Sequence, residues 1–268
     1  MNQPQYLTAN NIHSPQVSAI FTTRNGGVSG MTPGTEHLRS LNLQLNPKED
    51  THPSVTENHR IIAASQGFAP DDIMSLWQRH SDKIIAVDQS IADSRPHYKL
   101  GEADALVTNI KGILLSIRVA DCVPILLYDG TNEAIGAVHA GWRGTFAQIG
   151  TKTVRRMREL YGTNPADLKA AIGPAISVCC FEVGTDLHEQ FQAEYGEAID
   201  KFFRSKPGQK PYCDLSRMNK SFLIEAGIPE KNIYVSELCT VCNPQLFYSH
   251  RRSGEKRGTM AGLIGMKP

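Results

Sequence analysis

The sequence predicts an α+β fold in which helices cover a mixed β-sheet, and two observations carry that prediction. Strand-like segments outnumber helical ones and do not alternate with them regularly, which argues against a doubly wound fold. Several of these segments are apolar nearly throughout, as expected for strands buried on both faces. The 268 residues contain no internal repeat and no evident linker, so we expect one domain spanning residues 1–268.

The predicted strands are short apolar runs bounded by turn residues. The first, residues 17–23, leads into Asn25-Gly26-Gly27, a strong turn signal because Asn and Gly tolerate positive φ. The remaining predicted strands cover residues 73–80, 83–88, 104–109, 112–120, 123–129, 134–140, 168–173 and 232–237.

Helices are fewer and have clearer ends. Pro53 suits a first helical turn, and Asp214 suits an N-cap. Gly162 and Gly227 are placed where helices should end. The predicted helices cover residues 53–66, 145–161, 186–195 and 214–226.

Composition excludes several classes of protein. With 28 basic and 27 acidic residues the net charge is +1, which gives no reason to expect a nucleic-acid or membrane partner. The first twenty residues are polar and do not have the pattern of a secretory signal. Six cysteines are too sparse for a disulfide framework, so we expect a cytoplasmic location. Nothing in the sequence specifies an oligomeric state, and a monomer is compatible with it.

Two polar side chains interrupt the apolar strands at matching points. Cys122 precedes one predicted strand and His139 lies near the end of the next, while His80 ends an earlier one. One interpretation makes them ordinary core residues; another makes Cys122 a thiol with His139 as its base. A third makes all three ligands of one zinc ion, because zinc accepts mixed His and Cys donors and a three-ligand site leaves a position open.

The residues around His139 favour a binding site. Gly141 and Gly144 allow close approach of a ligand to the backbone, although a tight turn would also explain them. Arg143 lies between them and could bind a phosphate or carboxylate. Asp121, beside Cys122, could act as a general base, support a ligand, or only bond the backbone.

The chain resembles the YfiH-like laccase-domain family, whose members are variously called polyphenol oxidases, purine nucleoside phosphorylases and peptidoglycan editing factors. The resemblance covers nearly the whole chain from residue 21, and it rests on FTTRNGGVSG, SLNLQLN, QRHSDKI, DALVTN, RVADCVPILLYD, AVHAGWRGT, AIGPAISVCCFEVG and LFYSHRRSGEKRGTMAGLIGM. It implies a four-layer α/β/β/α sandwich similar to the deamidase domain of a bacterial cytotoxic necrotizing factor. It also implies zinc on His80, Cys122 and His139, which act in phosphorolysis of adenosine, inosine and methylthioadenosine and in deamination of adenosine.

The sequence departs from the family pattern at two points. The family usually has Asn and Arg adjacent in the segment where this chain reads Asn58-His59-Arg60, which leaves open whether His59 or Arg60 replaces the family arginine. Ser177 stands where the family often has glycine, which we interpret as a mild loop change.

Phosphorolysis requires contacts to a nucleoside and to phosphate. Arg24 and Arg143 are the candidate phosphate contacts, and Asn42 is the candidate contact to ribose or base. A solvated turn residue and a loop-closing amide are the structural alternatives for Arg24 and Asn42. Deamination would require a proton shuttle, for which Asp121 is the candidate, because the His-X-Glu and Pro-Cys-X-X-Cys signature of zinc deaminases does not occur.

The names used within the family also suggest two other activities. A multicopper laccase needs His-X-His pairs, and the nine histidines form none, so copper is expected only as a substitute for zinc. A Cys–His or zinc amidase that edits a peptidoglycan precursor is the alternative function.

The remaining cysteines are predicted to be structural. Cys239 and Cys242 are spaced like half of a zinc knuckle or a redox pair, but no second pair has the same spacing. Cys179 and Cys180 are adjacent and are expected to pack in the core.

Overall fold

The computed structural model describes residues 3–12, 14–44, 50–94, 100–205 and 208–268. Within these ranges the chain forms thirteen strands and seven α-helices. The strands are β1 Tyr6–Thr8, β2 Val17–Thr22, β3 Ile73–Met74, β4 Ile84–Ala86, β5 Ala105–Thr108, β6 Ile113–Val119, β7 Val123–Asp129, β8 Ala134–Ala140, β9 Lys169–Ile172, β10 Phe203–Arg204, β11 Tyr212–Cys213, β12 Ile233–Val235 and β13 Met260–Met266. The helices are α1 His52–Gln66, α2 Gln89–Asp93, α3 Trp142–Phe146, α4 Ile149–Tyr161, α5 Thr185–Tyr195, α6 Leu215–Glu225 and α7 His250–Ser253.

Two mixed sheets form the centre of the fold. One has five strands in the order β1-β2-β13-β6-β3, and the other has six in the order β12-β9-β7-β8-β5-β4. Apolar residues from both sheets, such as Leu115 of β6 and Leu126 of β7, share one buried cluster between them. The strands at the centre are therefore buried on both faces, as their apolar sequences predict.

Helices cover the outer face of each sheet. Ile62 and Ala63 of α1 pack with Leu263 of β13 on the outside of the five-stranded sheet. Met157 of α4 and Phe222 of α6 pack on the outside of the six-stranded sheet, together with residues of α5. The layers are thus α/β/β/α, and the predicted α+β four-layer sandwich is confirmed.

The central strand β13 is the main element that the sequence reading missed. It pairs antiparallel with both β2 and β6, yet its sequence MAGLIGM contains two glycines, which are unfavourable in strands. Both glycines lie close to neighbouring side chains, most closely at Gly265. A Cβ on Gly265 would lie 2.6 Å from Phe68, and one on Gly262 would lie 3.2 Å from Ile117.

Two predicted elements are shorter or divided. The helix predicted over 145–161 is two helices, α3 and α4, because Gln148 between them adopts a left-handed conformation with φ of 52°. The strand predicted over 73–80 is regular only at β3, and the following residues form a loop that reaches His80. Among the described residues, no helix is both long and apolar enough to cross a membrane.

Candidate metal centre and cavity

Strand register explains why Cys122 and His139 meet. β7 and β8 are antiparallel neighbours, with Val123 opposite Ala140 and Pro124 opposite His139. The residue before β7 and the last residues of β8 therefore lie at the same edge of the sheet. The two side chains that looked isolated in the sequence are brought together by pairing of their strands.

His80 completes a three-donor cluster from the loop between β3 and β4. Its Nε2 lies 3.6 Å from the Sγ of Cys122, and its ring lies edge-on to that of His139 with the ring centroids 4.9 Å apart. The donor atoms of His80, Cys122 and His139 all lie within 4.8 Å of one another. His80 has a φ of 57°, a left-handed conformation that points to a functional constraint.

Gly141 keeps space beside this cluster. A Cβ at this position would lie 2.7 Å from the His80 ring and 3.0 Å from the Sγ of Cys122. Any side chain would therefore displace the donors, which explains the glycine directly after β8.

Asp104 holds the cluster in place, although the sequence reading did not single it out. Its Oδ1 accepts hydrogen bonds from His139 Nδ1 at 2.8 Å and from the His80 backbone N–H at 3.0 Å. Its Oδ2 accepts from the backbone N–H groups of Arg79 and Ser81 and from the Ser81 hydroxyl. Asp104 is fully buried and directly precedes β5. A charged residue at the start of an apolar strand is the sequence feature that could have identified it.

The arrangement fits a zinc ion. Because Asp104 accepts from Nδ1 of His139, the Nε2 of that ring is the nitrogen left to bind a metal, as in carboxylate–histidine–zinc triads. Two imidazoles and one thiolate are a suitable zinc donor set with one position open.

When no metal is bound, the electrostatics of the site favour a thiolate on Cys122 next to a protonated His139. Burial raises the pKa of the Cys122 thiol, but the charge of His139 and hydrogen bonds from both histidines outweigh burial and lower that pKa. Burial lowers the pKa of His139, but Cys122 and Asp104 outweigh burial and raise it. Burial would raise the pKa of Asp104, yet hydrogen bonds from His139 and Ser81 hold it well below its usual range.

The three donors lie in the wall of a cavity of about 670 Å³. That volume is in the range of small-molecule sites. The indole rings of Trp77 and Trp142 provide apolar surface in the lining, and Arg118, Arg257 and His250 provide polar groups.

Arg118 and Arg257 were not predicted, but both residues lie in the lining of this cavity. Arg118 extends from β6 and donates from Nη2 to the Leu76 carbonyl at 3.0 Å, while its buried Nη1 has no hydrogen-bond partner among the described residues. The buried Nε of Arg257 and the hydroxyl of Thr259 also have no partner within that part of the chain. Burial lowers the pKa of Arg118 to about 10, so the guanidinium remains charged at neutral pH. Two guanidinium groups in the cavity wall suit a ligand with anionic oxygens.

Arg24 is placed away from the cavity. Its guanidinium donates to the backbone carbonyls of Arg39, His37 and Pro244 and stacks on the ring of Tyr248. Because these partners use the guanidinium, Arg24 joins loops in this structure, and phosphate binding by Arg24 stays a prediction.

Asn42 is likewise a loop-closing residue. It is fully buried, its amide donates to Asp50, and its Oδ1 accepts from the backbone N–H groups of Gln44 and Thr259. Asn42 is not among the residues that line the cavity, so its expected contact to ribose or base stays a prediction.

Asp121 borders the cavity but its carboxylate is occupied. One oxygen accepts from the Thr240 hydroxyl, and the other accepts from the Ser249 hydroxyl and the Arg251 backbone N–H. These bonds fasten the C-terminal loops to the residue next to Cys122. The suggested roles of Asp121 in ligand support and in proton transfer stay predictions.

Arg143 does line the cavity, as its predicted role requires. It is exposed on the short helix α3, and its guanidinium stacks 4.2 Å from the ring of Trp142.

His59 and Arg60, the two candidates for the position of the family arginine, have different environments. Arg60 is exposed and pairs with Glu57, whereas His59 is buried, donates from Nδ1 to the Val55 carbonyl and lies near Arg118.

The remaining cysteines do not pack as expected. Cys179 and Cys180 are not core residues: they lie against Cys242 and near Cys239 in a second sulfur cluster. The second pair that the Cys239–Cys242 spacing seemed to lack is thus supplied by two adjacent cysteines from another loop.

Comparison with known proteins establishes the family. The family model described as "Multi-copper polyphenol oxidoreductase laccase" matches residues 18–267, and the chain belongs to that family. A purine nucleoside phosphorylase, YlmD of Bacillus subtilis, is 35% identical over 96% of this chain and 91% of its own length. A protein of unknown prokaryotic origin named adenosine deaminase RL5 is 32% identical over 92% of this chain and 93% of its own length.

A solved structure shows the same fold. The hypothetical protein YfiH of Bacillus licheniformis superimposes with a TM-score of 0.86 at 36% identity, covering 94% of this chain and 93% of its own. The predicted resemblance to the YfiH-like laccase-domain family is confirmed. Relatives with enzyme names support an enzyme of this family.

Proposed function

We propose that this protein is a zinc-dependent purine nucleoside phosphorylase that also deaminates adenosine. The observation that carries the proposal is the open three-donor centre at His80, Cys122 and His139, in the wall of a cavity that Arg118 and Arg257 also line. The names of the relatives support the same substrate class. Copper is the metal most able to replace zinc on these donors.

In phosphorolysis, a phosphate oxygen bonds to C1′ of the ribose while the bond from C1′ to the purine nitrogen breaks, and the departing purine takes up a proton. Zinc, when bound, supplies a Lewis acid that polarises a substrate oxygen or water. Arg118 and Arg257 hold the phosphate in our proposal, because both residues line the cavity that contains the three donors and a guanidinium suits phosphate oxygens. Trp142 offers a flat apolar surface for the purine.

The same centre suits deamination, in which a water oxygen replaces the amino group at C6 and ammonia leaves. This reaction needs no phosphate, so it does not require Arg118 and Arg257. Asp104 serves both reactions as a positioning residue, since it orients His139 and the backbone of His80.

In space, Asp104 lies next to His139 and His139 lies next to Cys122, and this arrangement favours a second candidate function. A carboxylate that orients a histidine next to a thiol is also the arrangement of thiol hydrolases, so an amidase that edits a peptidoglycan precursor is the alternative. Chelation separates the two, because removal of zinc abolishes the phosphorylase and leaves a thiol amidase active.

The test is product analysis by mass spectrometry after incubating the zinc-loaded protein with adenosine, with and without phosphate. We expect adenine and ribose 1-phosphate only when phosphate is present, and inosine in both conditions. Both products should disappear in Cys122→Ala and persist in the control Cys213→Ala, whose thiol is buried away from the cavity. Unchanged adenosine in both conditions would refute the proposal and favour the amidase.

A further inference from the structure

Four cysteines from two loops converge on one edge of the six-stranded sheet. Cys179 and Cys180 lie between β9 and α5, whereas Cys239 and Cys242 lie between β12 and α7. Because β9 and β12 are parallel neighbours, both loops leave the sheet at the same edge. A further bridge between Ala175 and Cys239 keeps the two loops together.

The sulfur atoms have the separations of a tetrahedral metal site. Sγ of Cys242 lies 3.6 Å from that of Cys179 and 3.4 Å from that of Cys180, which are themselves 3.6 Å apart. Sγ of Cys239 completes a group whose members all lie within 4.8 Å of one another. Four sulfurs around zinc at about 2.3 Å would lie about 3.8 Å apart, whereas a disulfide requires about 2.05 Å.

The surroundings of Cys239 also match a metal-bound thiolate. The backbone N–H of Ser177 points at its Sγ, with a nitrogen-to-sulfur distance of 3.5 Å. Donation from the backbone to sulfur is an interaction that stabilises a coordinated thiolate and fixes its direction. Cys239 is buried while Cys179 and Cys242 are exposed, so the cluster lies at the surface with one face against the protein.

We propose that Cys179, Cys180, Cys239 and Cys242 bind one zinc ion as a closed structural site. Four thiolates fill the tetrahedral shell, so no position remains for water or substrate, unlike the three-donor centre. Bound zinc would join the two loops through four bonds to thiolate sulfurs, where four thiols would otherwise only pack together.

The position of the cluster gives this metal a role. The loop of Cys179 and Cys180 donates the Ile176 N–H to the Asp121 carbonyl, and the loop of Cys239 and Cys242 donates the Thr240 hydroxyl to the Asp121 carboxylate. Asp121 directly precedes the zinc ligand Cys122. The structural zinc would therefore hold in place the backbone that carries a ligand of the other centre, although this inference does not depend on the reaction catalysed there.

The test is the zinc content of the reduced full-length protein, measured after removal of free metal. We expect two zinc ions per chain in the wild type and in Cys213→Ala, and one in Cys122→Ala. The double variant Cys180→Ser, Cys242→Ser should also retain one, bound at the three-donor centre. A wild type with one zinc that falls to none in Cys122→Ala would overturn the proposal, as would an intact mass showing a disulfide in this cluster.

A spectroscopic measurement covers the case in which the double variant does not fold. Cys122 supplies the only thiolate of the three-donor centre, so in Cys122→Ala a sulfur-to-cobalt charge-transfer band after Co²⁺ loading must come from another thiolate site. We expect that band, and we expect added zinc to remove it as cobalt is displaced. Its absence would overturn the proposal.

Discussion

The three-donor centre and the four-cysteine cluster are built on neighbouring strands but for different tasks. The first has two imidazoles and one thiolate, is oriented by a fully buried carboxylate and opens into a cavity of about 670 Å³. The second has four thiols between two loops near the surface. If both clusters bind zinc as proposed, donor number and open space, more than the presence of cysteine, separate a reactive metal site from a structural one.

Crossed substitutions test this comparison most strongly. Cys122→Ala should reduce phosphorolysis by about a thousandfold or more, since a catalytic metal contributes several kcal/mol to the transition state, while the melting temperature falls less than it does on loss of the four-cysteine site. Cys180→Ser with Cys242→Ser should instead lower the melting temperature by at least about 5 °C. Paired activity assays and thermal unfolding measure both effects. Equal behaviour of the two variants in both assays would remove the distinction between the sites.

Asp104→Asn should lower the zinc affinity of the three-donor centre and leave that of the four-cysteine cluster unchanged. Loss of a carboxylate that orients a ligating histidine lowers metal affinity by roughly 10–100-fold. Competition with a chelator should show this loss for one zinc and leave the other unchanged. Because Asp104 also accepts bonds from the backbone of Arg79 and Ser81, a thermal melt must accompany the titration. Unchanged affinity in a folded variant would contradict the role given to Asp104.

The Arg118→Met substitution tests whether Arg118 binds phosphate in the cavity. Hydrogen bonds to a charged group contribute about 1.5–3 kcal/mol, so the KM for phosphate should rise by roughly 10–100-fold. Deamination of adenosine, which uses no phosphate, should change little. Arg60→Met is the matched control, because Arg60 is exposed and pairs with Glu57 on the surface. A similar loss in both reactions would show that Arg118 does not act on phosphate.

His59 is expected to contribute a pH dependence of stability that is independent of either metal. Burial lowers the pKa of His59 from its ordinary 6.5 to about 4, so between these values the unfolded chain binds more protons than the folded one. The stabilisation is complete above pH 6.5 and is lost as the pH falls towards 4, by up to about 3 kcal/mol.

Denaturant unfolding of the metal-free protein at several pH values measures this effect. His59→Asn keeps a donor for the Val55 carbonyl and removes the titrating ring, so it should flatten the decline in unfolding free energy. An equal decline in the wild type and this variant would assign the acid sensitivity to other groups.

Sequence reasoning was most successful where a local pattern has a direct physical cause. Apolar runs predicted β7 over residues 123–129 and β8 over residues 134–140 with the observed bounds, because burial on both faces demands such runs. Asp214 caps α6 as predicted, with its side chain accepting from the Arg217 N–H. Local patterns did not predict β13, because its two glycines are unfavourable in a strand. Their closely packed neighbours in the fold explain why glycine occurs there.

The residue types of the site could also be identified, but not all of their partners. Cys122 and His139 stand out because polar side chains at the ends of buried strands need an explanation. Arg24 and Asn42 were assigned to substrate because arginine and asparagine suit phosphate and ribose, and only their backbone partners show that these groups are already used. Arg118 could not be recognised, since one arginine in an apolar strand does not reveal which of its nitrogens lacks a partner.

The α+β class, the strands that carry the site and the donor types able to bind zinc can be predicted from local sequence, because burial and ligand chemistry are properties of single residues and short runs. Which of these groups meet depends on tertiary contacts. Strand register brought Asp104 to His139, and the parallel pairing of β9 and β12 brought two pairs of cysteines together across about sixty residues of chain. Contacts between distant segments depend on how the strands pair, and no local pattern records that pairing.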